Sequence, residues 1–376
     1  MINTLHAFDY SLSKNDFLNQ FKFLRKEIKD SKVFESIKKS KLDLYIYGFG
    51  NMANQITYKL QNNNISYKGF IVDKEFDSVK KEGVFYWEDF DKTSKINIIM
   101  GFANYKNKIE YVKNLMFVND FFIISCPYDH HNNISKQNIL NNISKYKYIY
   151  DSLYDNLSKI SYIAYLKARS TKDNAYVCKV ASEATSEFIN DIFKAEQNLV
   201  MVDVGAYDGS GILRYIEEVK KYKHIYGIEA ETNNFRMLRK TIKYHNLENI
   251  DLFNVGVWSS NTKIKFNLSD NKCCRFDNNS INEIEVKKLD DLLLHCRVDL
   301  ISIGISSGLF EILSGAEKLI LNNNPDLIIF AGASSDDFYD LIKFLLKCNP
   351  NYRFFMRFQS PFVSRLFLYV IDGRTS

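Results

Sequence analysis

A glycine-rich turn after an apolar run carries the residues with the clearest chemistry in the chain. The stretch Leu199 to Gly211 reads LVMVDVGAYDGSG, in which the apolar run ends at Asp203 and turns at Gly205 and Gly209. An apolar run of this length bounded by glycines predicts a buried parallel strand that enters a tight loop. Because glycine lets a backbone approach a ligand closely, the loop predicts a ligand lying against main chain.

A second acidic residue ends the next predicted strand. The segment ILRYIEEVKKYK has helical spacing, and the strand HIYGIEA that follows it ends at Glu229. Strand, glycine loop, helix, strand and terminal acid form the nucleotide-binding half of a doubly wound sheet. The alternative is an ordinary βαβ turn without a ligand. The acid favours the nucleotide site, because a carboxylate there can accept hydrogen bonds from both hydroxyls of a ribose.

The loop differs from the GxGxxG pattern of NAD-type sites. The sequence D-V-G-A-Y-D-G-S-G resembles motif I of class I S-adenosylmethionine-dependent methyltransferases, and specifically the FkbM family. Members of that family show D-x-G-A-x-x-G followed by E-x-x-x-x-N-x-x-x-L-x-x-N, and here Glu229, Asn234 and Leu238 fit the second part, with the last asparagine displaced to Asn246. The resemblance runs from about Asp203 to Ile371 and implies a seven-stranded fold with S-adenosyl-L-methionine as cofactor.

The resemblance also implies which residues bind the cofactor. They are the motif I loop, the acid of the second strand and the end of the third predicted strand, IDLFNVGVW, which should lie near an adenine ring. The expected cofactor-binding residues are Asp203, Gly205, Ala206, Tyr207, Asp208, Gly209, Glu229, Asn254 and Val257.

A second family signature, close to K-I-D-x-E-G-A-E-x-x-x-L-x-G-A, is altered in this chain. Here it reads SIGISSGLFEILSGA: Ser302 replaces the lysine, and Gly304, Ser306 and Leu309 stand where the family has acids. Acids at the carboxyl edge of a sheet supply a general base or hold a hard cation near the acceptor. We therefore expect no metal site.

The catalytic residue stays unassigned by the sequence. Candidate bases are His245, His295 and Asp299, and Ala331 to Ala333 stand where many relatives have polar residues after the fifth strand. One interpretation is a methyltransferase that works by positioning and O-methylates a sugar in surface-glycan biosynthesis, as the resemblance implies. The other is a catalytically degenerate methyltransferase fold that acts as a nucleotide- or sugar-binding module or as a scaffold. The intact cofactor half favours the enzyme.

The amino-terminal half repeats the alternation of strands and helices. A strand, LDLYIY, leads into a glycine turn at Gly48 and Gly50 that opens a helix, and the next strand ends at Asp73. This part resembles the Rossmann-like domain found ahead of some FkbM methyltransferases and in sugar acyltransferases that bind nucleotide-sugars. A second, weaker nucleotide site would use the free N–H groups of the helix start for a phosphate and an acid for a ribose; its residues are Gly48, Gly50, Asn51 and Asp73. A domain used only for packing is the alternative.

The predicted fold class is α/β, with two doubly wound Rossmann-like domains, the carboxyl-terminal one seven-stranded. The predicted segments are an amphipathic leader helix (1–40), the first Rossmann-like domain (41–133), a helical connector (134–197) and the methyltransferase domain (198–376). The leader would pack on the first domain or, alternatively, lie on a membrane surface. The run Asp129 to His131 predicts a polar surface turn, not a metal site.

Composition limits the partners. The 376 residues are 46% hydrophobic, with a net charge of +5 and lysines scattered among acids. We expect no nucleic-acid groove, because no basic stripe is present. No apolar run approaches the length of a membrane span, and the first ten residues lack a signal core, so the expected location is cytoplasmic. The six cysteines form no C-x-x-C pair and are expected to be reduced thiols. The expected partner is a small-molecule or sugar substrate; the oligomeric state is not readable from the sequence.

Overall fold

Two large sheets and one small sheet organise the protein. The computed structural model describes residues 11–24, 30–75, 82–102, 106–124, 134–181, 186–188, 191–193, 196–267, 275–276, 280, 282–293, 295–305, 307–332, 338–360 and 362–373. The predicted polar turn Asp129 to His131, together with Ser306 and Ala333, lies outside the described residues.

Two helices occupy the place of the single leader helix expected from the sequence. They are α1 (Lys14–Lys22) and α2 (Asp30–Lys39). The ring of Phe17 on α1 packs against Tyr150 at a centroid distance of 5.2 Å, whereas Phe34 on α2 belongs to the core of the first sheet. The apolar residues of each helix thus pack against a different part of the molecule.

The first sheet is parallel throughout. Its strands lie in the order β3-β2-β1-β4-β5, with the bounds β1 (Asp43–Tyr47), β2 (Gly69–Val72), β3 (Val84–Tyr86), β4 (Ile96–Met100) and β5 (Val118–Phe122). Helices α3 (Asn51–Asn62) and α4 (Lys106–Lys113) connect strands of this sheet. Separate apolar clusters cover its two faces, so it is a doubly wound sheet as predicted.

Three helices follow the first sheet, and then the strands of the second half. The helices are α5 (Lys136–Asn141), α6 (Ile143–Ser152) and α7 (Asn156–Thr171). The strands are β6 (Val200–Val204), β7 (His224–Ile228), β8 (Ile250–Phe253), β9 (Gly256–Val257), β10 (Thr262–Asn267), β11 (Arg275–Phe276), β12 (Glu283–Lys287), β13 (Leu300–Ile303), β14 (Asp326–Phe330), β15 (Tyr352–Phe358) and β16 (Leu366–Asp372).

Seven of these strands form the second large sheet, in the order β15-β16-β14-β13-β6-β7-β8. All neighbours are parallel except β16, which is antiparallel to both β14 and β15. The predicted seven-stranded α/β sheet is confirmed. The predicted third strand is divided, however: β8 ends at Phe253, and β9 joins the small sheet β11-β10-β12-β9.

Helices cover both faces of the seven-stranded sheet. They are α8 (Ser210–Val219), α9 (Thr232–Tyr244), α10 (Leu289–Leu292), α11 (Leu309–Ser314), α12 (Glu317–Asn323) and α13 (Phe338–Cys348). Residues of α8 and α9 pack on one face. The opposite face packs against α11, α12 and α13 and also against α6 and α7. A doubly wound sheet of this kind leaves its carboxyl edge as the natural place for a ligand.

The predicted helical connector contributes to the core of the seven-stranded sheet. Leu153 bridges Phe354 on the edge strand β15, and Ser158 on α7 accepts a hydrogen bond from the backbone N–H of Met356. Arg357 on the same strand is bound by Asp155 at 2.6 Å. The domain boundaries predicted from the sequence remain a prediction. Among the described helices, none is both long and apolar enough to cross a membrane.

Candidate active site

A cavity of about 390 Å³ lies at the carboxyl ends of β6, β7 and β13. Its wall is formed by the loop after β6, the end of β7, the small sheet, the loop after β13 and the start of β16. Six of the predicted cofactor-binding residues line it: Asp203, Gly205, Ala206, Tyr207, Glu229 and Val257. Three others, Asp208, Gly209 and Asn254, do not.

The loop after β6 requires glycine at its turn. Gly205 has φ +81°, and a Cβ on it would lie 2.6 Å from Cγ1 of Ile305. Gly304 approaches from the opposite side, where a Cβ would lie 3.2 Å from the carbonyl oxygen of Gly205. A side chain at position 205 would therefore be strained and would push the two loops apart. Their close approach forms one wall of the cavity.

The carboxylate of Glu229 is oriented by main chain. Its Oε2 accepts the N–H of Tyr207 at 3.0 Å, and its Oε1 accepts the N–H of Glu231 at 2.8 Å. The side chain of Asn234 is a further hydrogen-bond partner of this carboxylate. Since a carboxylate has about four acceptor positions, one is left for a ligand. Burial raises the pKa of Glu229 above its ordinary value, against the effect of the backbone hydrogen bonds.

The three predicted residues outside the cavity contact the backbone and side chains next to its wall. The amide nitrogen of Asn254 donates to the carbonyl oxygens of Glu229 and Ala230. Asp208 accepts the N–H of Ser210 at the start of α8. Gly209 has φ +86°, and a Cβ on it would lie 3.1 Å from Leu238 on α9. Each residue fixes the backbone that carries a cavity residue.

Asp203 lies in a buried cluster of charged groups. It is 5% exposed and pairs in register with Ser302 on β13. Burial, followed by the negative charge of Glu187, raises the pKa of Asp203 to about 7, while Ser302 and Arg214 oppose the shift. Arg214 is itself bound to Glu187 at 2.8 Å. The sequence motifs did not identify Glu187 or Arg214, because neither belongs to a recognisable pattern; only the fold brings them to the cavity.

The part of the chain that carries the glycine loop and Glu229 matches a known family. Residues 203–354 match the family described as the methyltransferase FkbM domain. We refer to residues 203–354 as the FkbM domain, after the family that they match. A comparison with curated proteins gave no match.

Solved structures resemble the chain at low sequence identity. A crystal structure of methyltransferase FkbM from Methylobacillus flagellatus KT is 17% identical, with a TM-score of 0.68, and the match covers 96% of this chain and 100% of that one. A precorrin-6y C5,15-methyltransferase from Geobacter metallireducens GS-15 is 15% identical over 50% of this chain and 74% of that one, with a TM-score of 0.30. A SAM dependent methyltransferase from Aquifex aeolicus is 13% identical over 53% of this chain and 98% of that one, with a TM-score of 0.31. The first of these likenesses shows that the architecture of both large sheets recurs in another protein.

The altered signature of the FkbM domain occupies three different environments. Ser302 is buried beside Asp203, Gly304 is exposed on the cavity wall, and Leu309 is fully buried in the apolar core. Of these neutral residues, Gly304 thus forms part of the cavity wall, whereas Leu309 packs in the core.

Gly315, in the retained LSGA end of that signature, packs closely against Trp258 of the cavity wall. A Cβ on Gly315 would lie 2.0 Å from the carbonyl oxygen of Trp258, and a Cβ on Gly308 would lie 2.4 Å from its ring. Both glycines allow the tryptophan to approach α11; Gly315 matches the family signature, whereas Gly308 stands where the signature has alanine.

The candidate bases suggested by the sequence do not line the cavity of the FkbM domain. Asp299 lies before the amino end of β13, where its carboxylate accepts the N–H of Val200. His245 follows the carboxyl end of α9, at the far end of that helix from Glu229. His295 precedes β13 as well. Within the described residues, no group of three or more His, Cys, Asp or Glu side chains is arranged to hold a metal ion.

The predicted second nucleotide site lies at the first sheet, outside the FkbM domain. Asp73 accepts hydrogen bonds from the hydroxyl of Tyr47 at 2.7 Å, Nε1 of Trp87 at 3.1 Å and Nζ of Lys108 at 2.8 Å. Burial acts to raise the pKa of Asp73, but these bonds hold it below its ordinary value. Gly48 has φ +114°, and Gly50 caps α3; the side chain of Asn51 lies outside the described residues. The three donors fix the carboxylate of Asp73 in the first domain; the second nucleotide site stays a prediction.

Proposed function

We propose that the FkbM domain is an S-adenosylmethionine-dependent methyltransferase that O-methylates a sugar hydroxyl in surface-glycan biosynthesis. The observation that carries the proposal is the carboxylate of Glu229, which the backbone holds at the edge of a cavity with an acceptor position left over. The substrate class rests on the family resemblance.

The residues of the cavity fit the cofactor. Its volume of about 390 Å³ is within the usual range for small-molecule sites, ~300–1,000 Å³. Glu229 would hold the ribose hydroxyls, and the glycine turn at Gly205 would lie against the rest of the nucleoside. Asp203, whose pKa is raised to about 7, lies at the same end of the cavity as the Glu187–Arg214 ion pair, and a cationic ligand there would favour the ionised form of Asp203. When bound, S-adenosylmethionine would supply the methyl group: the hydroxyl oxygen bonds to the methyl carbon in line as the carbon–sulfur bond breaks, S-adenosylhomocysteine leaves, and the hydroxyl proton passes to solvent.

The remaining work of the protein is positioning. Trp258 and Ile305 line the cavity and would exclude water from the reacting groups. The loop after β13 presents Gly304 and Ser307, which are small and neutral, so an acceptor can approach closely. Holding two reactants in a reactive geometry can supply ~7–11 kcal/mol of the barrier reduction. Such a reaction does not require a carboxylate at the end of β13.

Calorimetry tests the proposal directly. We expect the purified protein to bind S-adenosylmethionine and S-adenosylhomocysteine, and transfer of labelled methyl to an acceptor sugar would identify the substrate. The second candidate function, a degenerate binding module, is favoured by the neutral end of β13 and predicts binding of nucleotide-sugars alone. If neither cofactor form binds, the methyltransferase proposal is wrong.

A further inference from the structure

One arginine lies at the end of the cavity away from the acids. Arg365 precedes β16 and lines the cavity together with Phe330 and Phe367. These two aromatic residues pair across β14 and β16, with ring centroids 5.5 Å apart. The guanidinium of Arg365 lies over the ring of Phe367, 5.6 Å from its centroid. The aromatic pair thus forms a platform beside the charge.

The backbone that carries this arginine is fixed against the end of β14. Gly332 approaches Ser364 so closely that a Cβ would lie 2.0 Å from the carbonyl oxygen of Ser364. The N–H of Ala331 donates to the carbonyl oxygen of Leu366. Arg365 is therefore held at the carboxyl edge of the sheet, where ligands bind in open α/β folds.

The hydrogen-bonding capacity of Arg365 is mostly unused. A guanidinium has five N–H donors, and the hydrogen bond of this one to a described residue is a long contact of 3.5 Å to Oε1 of Gln359. Among the described residues, no carboxylate lies within ion-pair distance of it. Arg214, the other arginine on the described cavity wall, is neutralised by Glu187 at 2.8 Å. On the described part of the cavity wall, Arg365 is thus the arginine whose charge is left to a ligand.

The charges of the cavity are separated along the edge of the sheet. Asp203 and Glu229 lie at the ends of β6 and β7, whereas Arg365 lies at β16, three strands from β6. At the usual spacing between strands, this separation is roughly 14 Å. Between them, Gly304 and Ser307 are neutral. A cationic cofactor at the acidic end would leave the arginine end to the acceptor.

We propose that Arg365 is a specificity-determining residue that binds an oxyanion, a carboxylate or a phosphate, carried by the methyl acceptor. The planar guanidinium matches the paired oxygens of both groups. The proposal rests on the proposed function, since it assigns the acidic end of the same cavity to the cofactor. It adds that the acceptor is an acidic sugar or a sugar phosphate and not a neutral glycan unit.

Calorimetry on the full chain saturated with S-adenosylhomocysteine tests this inference. The probes are glucuronic acid for a carboxylate, uridine diphosphate for a phosphate, and glucose as the neutral control. The variants are Arg365→Gln, Arg365→Lys and, as a matched control, Arg353→Gln. Arg353 also stacks on an aromatic ring, at 4.7 Å from Tyr154, but it does not line the cavity.

We expect one acidic probe to bind, and its identity distinguishes a carboxylate from a phosphate. Arg365→Gln should weaken that binding by about tenfold or more, and Arg365→Lys by less, because it keeps the charge but not the paired geometry. Arg353→Gln should bind the acidic probe as tightly as the unaltered protein, and glucose should not bind. All variants should bind S-adenosylhomocysteine equally.

Two results would overturn the inference. One is binding of S-adenosylhomocysteine without binding of either acidic probe; the other is binding of an acidic probe that Arg365→Gln does not weaken. If S-adenosylhomocysteine itself fails to bind, the proposed function has failed, and the same titrations on the free protein decide the role of Arg365.

Discussion

Glu229 is the residue whose contacts most directly predict a ligand. Replacing it with glutamine keeps the size of the side chain and one acceptor oxygen but turns the other oxygen into a donor. The loss of one charge-assisted hydrogen bond to a ribose hydroxyl should cost about 1.5–3 kcal/mol of binding free energy. We therefore expect the dissociation constant of S-adenosylhomocysteine to rise between about tenfold and a hundredfold in Glu229→Gln.

The control for this measurement is Glu217→Gln. Glu217 is an exposed acid of α8 and does not line the cavity, so its variant should bind S-adenosylhomocysteine like the unaltered protein. If both variants bind S-adenosylhomocysteine with equal affinity and circular dichroism shows an intact fold, Glu229 does not bind the cofactor.

Asp203 makes the stability of the protein depend on pH. Its pKa is raised from 3.8 to about 7, chiefly by burial. A buried acid with a raised pKa favours folding while it is protonated, so its contribution is complete below pH 3.8 and is lost as the pH rises through about 7. We expect the free energy of unfolding of the ligand-free protein to fall over this window, and Asp203→Asn to reduce the fall.

Urea denaturation at several pH values between 4 and 8 measures this dependence. Part of the slope should remain in Asp203→Asn, because burial also raises the pKa of Asp326 to about 6. Stability profiles that run parallel in the variant and the unaltered protein would show that Asp203 does not titrate in this range.

Motif spacing predicted the residues that share a loop but not those brought together by the fold. Asp203, Gly205 and Glu229 were predicted because one βαβ unit contains all of them. Glu187 and Arg365 belong to distant segments without a motif, and only the order of the strands places them at the same cavity. Asn254 follows β8 but lies outside the cavity, and its amide donates to the backbone, an orientation that the sequence does not show.

At the level of elements, the contact between α11 and the loop after β9 depends on a glycine. A methyl group on Gly315 would lie 2.0 Å from the carbonyl oxygen of Trp258, so Gly315→Ala must displace backbone. We expect a loss of about 1–3 kcal/mol in the free energy of unfolding. Because Trp258 lines the cavity, the affinity for S-adenosylhomocysteine should fall as well.

Gly211→Ala is the matched glycine control. A Cβ there would lie 3.5 Å from Oδ2 of Asp203, an ordinary contact distance, and alanine is favoured over glycine in a helix by roughly 0.5–1 kcal/mol. We expect its stability to be unchanged or slightly higher in chemical denaturation. A Gly315→Ala variant as stable as Gly211→Ala would mean that α11 can move away from Trp258 at little cost.

The sequence predicted the elements of the sheets better than their boundaries. Long apolar runs such as β6 and β13 were predicted because a buried parallel strand needs apolar residues on both faces. The division of IDLFNVGVW into β8 and β9 was not predicted, since the same apolar residues suit one long strand or two short ones. Which strand a segment pairs with is decided by contacts distant in sequence.

At the scale of the whole molecule, the helices between the two large sheets belong to the core of the second one. Tyr165 and Leu166 on α7 are fully buried in the same cluster as the residues of β13 and β14. Asp155 and Asp191 bind the guanidinium of Arg357, whose side chain is only 3% exposed. A fragment that starts at residue 198, the predicted domain boundary, would lose these partners.

We therefore expect the fragment 198–376 not to fold and the fragment 134–376 to fold. Leaving a buried charge without its partners costs ~3–5 kcal/mol, and the exposed apolar face adds to this, against a typical total stability of about 5–15 kcal/mol. The longer fragment should melt below the full chain, because it lacks the contacts of Phe17 with Tyr150. Thermal unfolding followed by circular dichroism, with the full chain as reference, measures both. A cooperative transition of 198–376 within a few degrees of the full chain would place the boundary where the sequence put it and would make α5 to α7 a separable connector.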